Sequence, residues 1–386
     1  MTDADVAVVG IGGIGSMALW RLACSGVAVH GYEQHGIGHD RGASSGQNRR
    51  FSVQSQGDPA FTPLAVQARS LWAELESEAG SRLLETCGGI IVGPADEPRL
   101  RRAEESARLH DLPHEVLDAG PARERYPQHV LQDGEQVLVD PFGGFLRPER
   151  AVLAAVSRAR ALGAVVHERT RVLAIEEQRS DVLIRTADGV RSYRRVVVAT
   201  GAWARRLLPH LEPYVLPRRL VQAWYAPDDA REFGPDRFPV FERLGRALAY
   251  GFPSVDCATI KIGIRLGEHP VVQDLDTPHR TISPALLDTY ASIVPTILRS
   301  LHPYPVATAL GFEGYVTDGR ALLGPSSPGS RVVLAVGFSG SGFKFAPAMG
   351  DAAARYALGE PSVPAVAMLT PERAIAPWDD AIRART

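Results

Sequence analysis

The chain of 386 residues carries 42 lysines and arginines, yet only two of them are lysine, Lys261 and Lys344. Both sit among glycine and apolar residues, in TIKIG and GFKF, where a solvated surface charge is not expected. Lysine is a compact charge whose pKa responds to burial, whereas arginine keeps its proton and presents a planar fork. A fixed cation in a low-dielectric pocket stabilises negative charge, so these two positions are the first places to look for chemistry.

A second chemical feature opens the chain. Asp5 to Gly10 (DVAVVG) reads as a short buried strand, followed by Gly10-Ile11-Gly12-Gly13-Ile14-Gly15 and a helical pattern that closes at Gly26. VAVHGYE then reads as a second strand ending in Glu33, eighteen residues beyond Gly15. Gly10 permits the tight turn, Gly12 lets the backbone approach a pyrophosphate, and Gly15 lets helix and strand pack closely. The free N–H groups at the helix start receive phosphate charge. Glu33 is placed to accept from a ribose hydroxyl, which favours FAD or NAD over NADP.

Two later segments repeat the theme. VLAIEEQRSDVLIRTADGVRSY reads as alternating strands joined by an Ala187-Asp188-Gly189 turn, and the strand after it ends in Ala199-Thr200-Gly201. This is a pattern of two-dinucleotide-type flavoproteins, and it tilts the reading toward FAD. RVVLAVGFSGSGFKFAPAMGDAAARYALG then gives a strand, a glycine loop and a helix beginning near Pro347, a residue favoured in a first helical turn. Cofactor-like segments at the start, middle and end predict a Rossmann-like α/β domain assembled from discontinuous sequence (1–80, 146–215 and 308–386). Segments 81–145 and 216–307 would build a second, substrate domain of α+β type on a largely antiparallel sheet.

Bulk properties are those of an ordinary soluble globular protein, with 45% hydrophobic and 22% charged residues. A net charge of −2 gives no reason to expect nucleic acid or a membrane surface. Cys24, Cys87 and Cys257 are widely spaced, show no metal-ligand pairing, and fit a reducing cytoplasm. No apolar run approaches a membrane span and no signal peptide is apparent, so a cytoplasmic location is expected. A monomer or weak dimer, with no metal, is expected as well.

Taken together, these motifs resemble the FAD-dependent amine oxidases typified by monomeric sarcosine oxidase and N-methyltryptophan oxidase, within the wider group of glycine oxidase and D-amino acid oxidase. The resemblance runs through GASSGQNRRFS, LAVQARSLWAELE, ATGAW, GFPS followed by KIG, and GFSGSGFKF. It implies that Lys261 lies over the flavin opposite the substrate and promotes O₂ reduction, and that Lys344 binds the substrate carboxylate. It places Arg49 near the flavin, Tyr250 in the active site, and Gly42, Ser44, Ser45 and Gly46 over the pyrophosphate and ring. Val172 would contact the adenine, Gln34 would follow Glu33 in the ribose region, and Trp203 would pack rather than react. Gly340, Gly342 and Phe343 would bring backbone close to the isoalloxazine. Trp72 and Leu71 read as helix core.

Four departures from the family pattern carry as much meaning. Gly311 stands where the covalent-flavin cysteine would be, so FAD is expected to be held without a covalent link. Ser52 replaces the carboxylate-binding arginine, Arg265 an active-site histidine, and Glu313 a second tyrosine. Strand alternation gives residues 261, 263 and 265 one face, so Arg265 is expected on the cavity wall of Lys261, joining Lys344 on the carboxylate. Glu313 would hold an extra amine or hydroxyl.

The reading is an FAD-dependent oxidase that converts the C–N bond of an N-substituted or unusual amino acid to an imine, with O₂ reduced to H₂O₂. A flavin dehydrogenase, a biosynthetic imine-forming oxidase of a non-carboxylate amine, and a flavin-binding subunit of a heteromeric oxidase are the alternatives.

Overall fold

The computed structural model describes residues 2–54, 58–245, 248–266, 269–276, 281–361 and 364–383. Its first sheet is built on five parallel strands in the order Val332–Val336, Gly189–Val198, Ala4–Val9, Val29–Tyr32 and Val165–His167. The strand Ala4–Val9 sits at the centre and is nearly continuous in buried apolar residues, as a strand covered on both faces must be. Antiparallel strands Val182–Thr186 and Ala174–Glu177 extend the sheet through the long strand Gly189–Val198, whose hairpin turns at Ala187-Asp188-Gly189 as the sequence predicts.

Helices cover this sheet. Gly13–Cys24 follows the first strand and packs against Pro148–Ala161 and Ala346–Leu358. Gly350 is what allows the last of these contacts, because a β-carbon there would lie 2.5 Å from that of Met17. Thr62–Ala79 places Leu71 and Trp72 in the same core. The helix predicted near Pro347 begins at Ala346, with the proline in its first turn.

The second sheet has eight strands among the described residues, ordered Ala307–Tyr315, Leu216–Tyr225, Ile260–Arg265, Leu248–Gly251, Val240–Arg243, Gly89–Pro94, Glu135–Asp140 and Glu115–Asp118. All neighbours are antiparallel except Val240–Arg243 with Gly89–Pro94. The strand Ala307–Tyr315, counted from sequence with the cofactor segments, therefore hydrogen-bonds into this second sheet along nine paired positions. A short three-stranded sheet of Arg49–Phe51, Gly144–Leu146 and Leu84–Thr86 accompanies the two. No helix among the described residues is long and apolar enough to cross a membrane.

Candidate active site

The glycine turn, the loop carrying Ser44 and the GFSGSGFKF segment converge on one cleft. Gly13 N donates to Ser44 Oγ at 2.8 Å, and a β-carbon on Gly13 would lie 2.9 Å from the Phe343 ring. Gly10 has φ +88° and needs its glycine, while a side chain on Gly15 would overlap the Gly10 carbonyl. Glu33 lines this cleft and accepts from Ile11 N at 3.0 Å and His35 N at 2.9 Å. Burial works against its ionisation, but His39 and the two N–H groups hold the carboxyl below the usual range. Gln34, Gly42, Val172, Gly201 and Trp203 line the same cleft, as do Gly10, Gly12, Gly13 and Ile14. Ser45 is buried beside it without lining it.

A second cavity of about 560 Å³ adjoins the cleft, a size typical of small-molecule sites. Glu313, Phe338, Ser339, Gly342 and Phe343 line both spaces, so the two meet there. Arg49, Tyr250, Arg265, Gly340 and Lys344 all line the second cavity. Lys344 lies in the single turn Phe343–Phe345 that leads into the helix Ala346–Leu358. Its ammonium stands 4.7 Å from the centre of the Phe345 ring and has no carboxylate within ion-pair distance among the described residues. Burial first, and then the neighbouring Arg50 charge, push it down to about 8, against the pull of Glu242 and Asp140.

Lys261 is placed differently. It is 3% exposed and donates to Gly46 O and Asn48 O at 2.7 Å each and to Gln222 Oε1 at 3.3 Å. All three protons are met by neutral oxygens, and burial pushes the ammonium well below its ordinary range. It does not line the cavity that Arg265 lines. The expectation of a shared wall fails because the Tyr250 ring fills the place a β-carbon on Gly263 would take, between the two.

This arrangement has known counterparts. The family model described as FAD dependent oxidoreductase matches residues 5–356. The chain belongs to that family. Monomeric sarcosine oxidase of Streptomyces avermitilis is 31% identical over 375 residues, which is 96% of this chain and 97% of that protein. N-methyl-L-tryptophan oxidase of Yersinia pestis (strain Pestoides F) is 30% identical over 366 residues, 93% and 96% of the two chains. The solved structure of NikD, an unusual amino acid oxidase essential for nikkomycin biosynthesis, superposes with a TM-score of 0.84 at 21% identity, over 97% of this chain and 99% of that one.

The protein is thus an FAD-dependent oxidoreductase, and the cleft fits such a cofactor. Thr200 Oγ1 is buried in its lining with no hydrogen-bond partner among the described residues, and Gly12 and Ile14 line the cleft at the start of the helix, where a pyrophosphate is received. Arg49 donates to Ala43 O at 2.7 Å and Asn48 O at 2.9 Å, so it fixes the loop over the cleft while facing the second cavity. A β-carbon on Gly311 would lie 2.8 Å from Gly42 O, so this strand position is pressed against the same loop.

Two positions matter more than the sequence suggested. Ser52 does not line the cavity; it is buried and donates to Asp140 Oδ2 at 2.7 Å. Arg50, two residues earlier, does line it: Nη1 bonds Glu242 Oε2 at 3.0 Å, while Nε is buried without a partner among the described residues. The doubled arginine in QNRRF was the available signal. Trp72, read as core, also donates from Nε1 to Lys344 O at 3.1 Å and stacks on Phe343, which sets the backbone that carries the ammonium.

A small carboxylate probe such as 2-furoate, followed through the flavin spectrum, is expected to bind most tightly below pH 8. Lys344 is charged there and loses its proton as pH rises through about 8, so affinity should fall above that value. Lys344→Met should lower the affinity about tenfold or more at pH 7 and flatten this alkaline limb, since bonds to charged groups contribute roughly 1.5–3 kcal/mol. A limb unchanged in the variant would assign the titration to another group.

Proposed function

We propose that this enzyme oxidises the C–N bond next to the carboxylate of an N-substituted or unusual amino acid, giving the imine, with O₂ as the final electron acceptor. The observation that carries the substrate reading is the pairing of two cationic donors in one cavity. Among the described residues Lys344 has no carboxylate bonded to it, and Arg50, its largest like-charge neighbour, has no partner on Nε. Like charges held near each other in a partly buried space are stabilised by an anion between them. Arg265 is exposed at the same cavity and is a further donor there.

Bound FAD supplies the two-electron acceptor for this chemistry. The chain's own residues bind and orient. Glu33 and the glycine turn would hold the ribose and pyrophosphate, Val172 the adenine region, and Gly340, Gly342 and Phe343 the ring. Lys344 with Arg50 would hold the carboxylate, and Tyr250 and Arg49 would shape the space over the ring. Lys261 would provide positive charge where O₂ acquires its first electron. The division of the chain into a cofactor unit and a substrate unit is supported by the two sheets, with the strand Ala307–Tyr315 belonging by hydrogen bonding to the second. FAD would be held non-covalently, in a monomer or weak dimer.

The purified yellow protein, mixed anaerobically with a panel of N-alkyl glycines and D- and L-amino acids, is expected to bleach with at least one member and to recolour on admitting air. Bleaching without recolouring would indicate a dehydrogenase, and no bleaching by any carboxylate-bearing amine would overturn the substrate class. Acid precipitation should release all flavin to the supernatant, because Gly311 offers no thiol; colour retained by the pellet would contradict non-covalent binding. Lys261→Met should slow reoxidation of reduced flavin at least tenfold while changing anaerobic reduction little. Equal losses in the two half-reactions would give the lysine some other role.

A further inference from the structure

The substrate nitrogen needs a partner as well as the carboxylate, and Glu313 has the right placement. It is among the few residues lining both the nucleotide cleft and the second cavity, where a substrate presented to the flavin must sit. Its strand, Ala307–Tyr315, carries Tyr315 on the same face two residues on. The GFSGSG loop closes over both side chains: a β-carbon on Gly340 would be 3.1 Å from the Tyr315 hydroxyl and 3.6 Å from Glu313 Oε2. Oε2 is shut away from water without a hydrogen-bond partner among the described residues, and the Tyr315 hydroxyl is the neighbouring donor to the carboxyl group. A carboxylate with one oxygen left unpaired in a buried site is only partly stabilised by its neighbours, and it gains by meeting a further cation or by taking up a proton.

We propose that Glu313 is the subsite for the substrate's nitrogen: its carboxylate meets the ammonium of a zwitterionic amino acid and accepts one N–H proton. This leaves a neutral amine, with its lone pair, beside a neutral carboxylic acid. The proposal rests on the amino-acid reading above. The groups facing Glu313 are Arg49, Tyr250, Arg265 and Tyr315. Burial raises its carboxyl, while Arg49, Tyr315 and Arg265 oppose that shift. A carboxyl raised by burial is a stronger proton acceptor than a solvated one, which suits it to take a proton from an adjacent ammonium.

Two isosteric probes test this on the holoenzyme. N,N-dimethylglycine and 3-methylbutanoate share a carboxylate and a shape but differ in a charged nitrogen. At about pH 8 the wild type is expected to bind dimethylglycine at least tenfold more tightly. Glu313→Gln should remove most of that preference while leaving 3-methylbutanoate within about twofold, and Glu313→Asp should keep part of it. In the wild type alone, acidification should erode the preference, which gives a reading even if Glu313→Gln does not fold. Long-wavelength absorbance of the amine over oxidised flavin, or bleaching if it is oxidised, requires the lone pair. Either should be present in the wild type near pH 8, and in Glu313→Gln only as pH approaches the amine's own pKa. An unchanged preference, or equal loss of both probes, would overturn the nitrogen subsite. A signal absent from the wild type near pH 8, or with the same pH threshold in both proteins, would overturn the proton transfer. Failure of the wild type to bind either acid would instead bring down the carboxylate reading beneath it.

Discussion

The buried ammonium of Lys261 is the interaction on which the active-site architecture depends. An ammonium removed from water costs several kcal/mol unless its protons are met. Here they are met by Gly46 O, Asn48 O and Gln222 Oε1, so the charge and the loop fix each other. The loop passes through positive φ at two successive residues, freely at Gly46 (φ +94°) and at a steric cost at Gln47 (φ +69°). Glu149 accepts from the N–H groups of both residues, so the loop is held from one side by a cation on its carbonyls and from the other by an anion on its amides. Gln222 also leaves no room for a side chain on Gly46. Once the loop is pinned, Ser44 reaches Gly13 N on the nucleotide side and Arg49 faces the second cavity. One buried charge from the second sheet thereby registers that sheet against the glycine turn of the first.

The C-terminal segment completes the site by a different principle. Phe343 lies against Gly13, stacks on Trp72 and lines both cavities, so one ring marks their junction. The next residue is Lys344, whose carbonyl is tied to Trp72 and whose ammonium precedes the helix Ala346–Leu358. The helix start adds partial positive charge in the same region. The cationic character of this end of the cavity is thus distributed over Lys344, Arg50 and a backbone dipole.

How much of this was legible beforehand follows from what each feature depends on. The glycine turn, Glu33, the strand ending at Ala199-Thr200-Gly201 and the helix at Pro347 are local patterns, and each appears where the sequence places it. The two lysines stood out because arginine fills the other basic positions. Arg50 could not be assigned from its neighbours, since its meaning comes from Glu242, 192 residues away, and from an unpaired Nε that only packing creates. The same holds for Lys261 and Arg265. Strand periodicity puts them on one face, but the Tyr250 ring across Gly263 separates them, and that depends on the register of Leu248–Gly251 with Ile260–Arg265.

The pairing of charges around the second cavity explains why a lysine persists at 344. Glu242 spends one oxygen on Arg50 and the other on Arg99, at 3.0 and 2.7 Å. Asp140 receives Ser52 Oγ on one oxygen and Phe142 N on the other. The two acids that attract Lys344 electrostatically are therefore already occupied, and they influence it without bonding it. Ser52 fits this scheme: its hydroxyl neutralises no charge but takes one acceptor position of Asp140. An arginine at 344, with five donors in a rigid fork, would compete for the same acids at several angles. A short-headed cation with its nearby carboxylates engaged elsewhere stays available to a ligand, and that availability is what the surrounding pairs preserve.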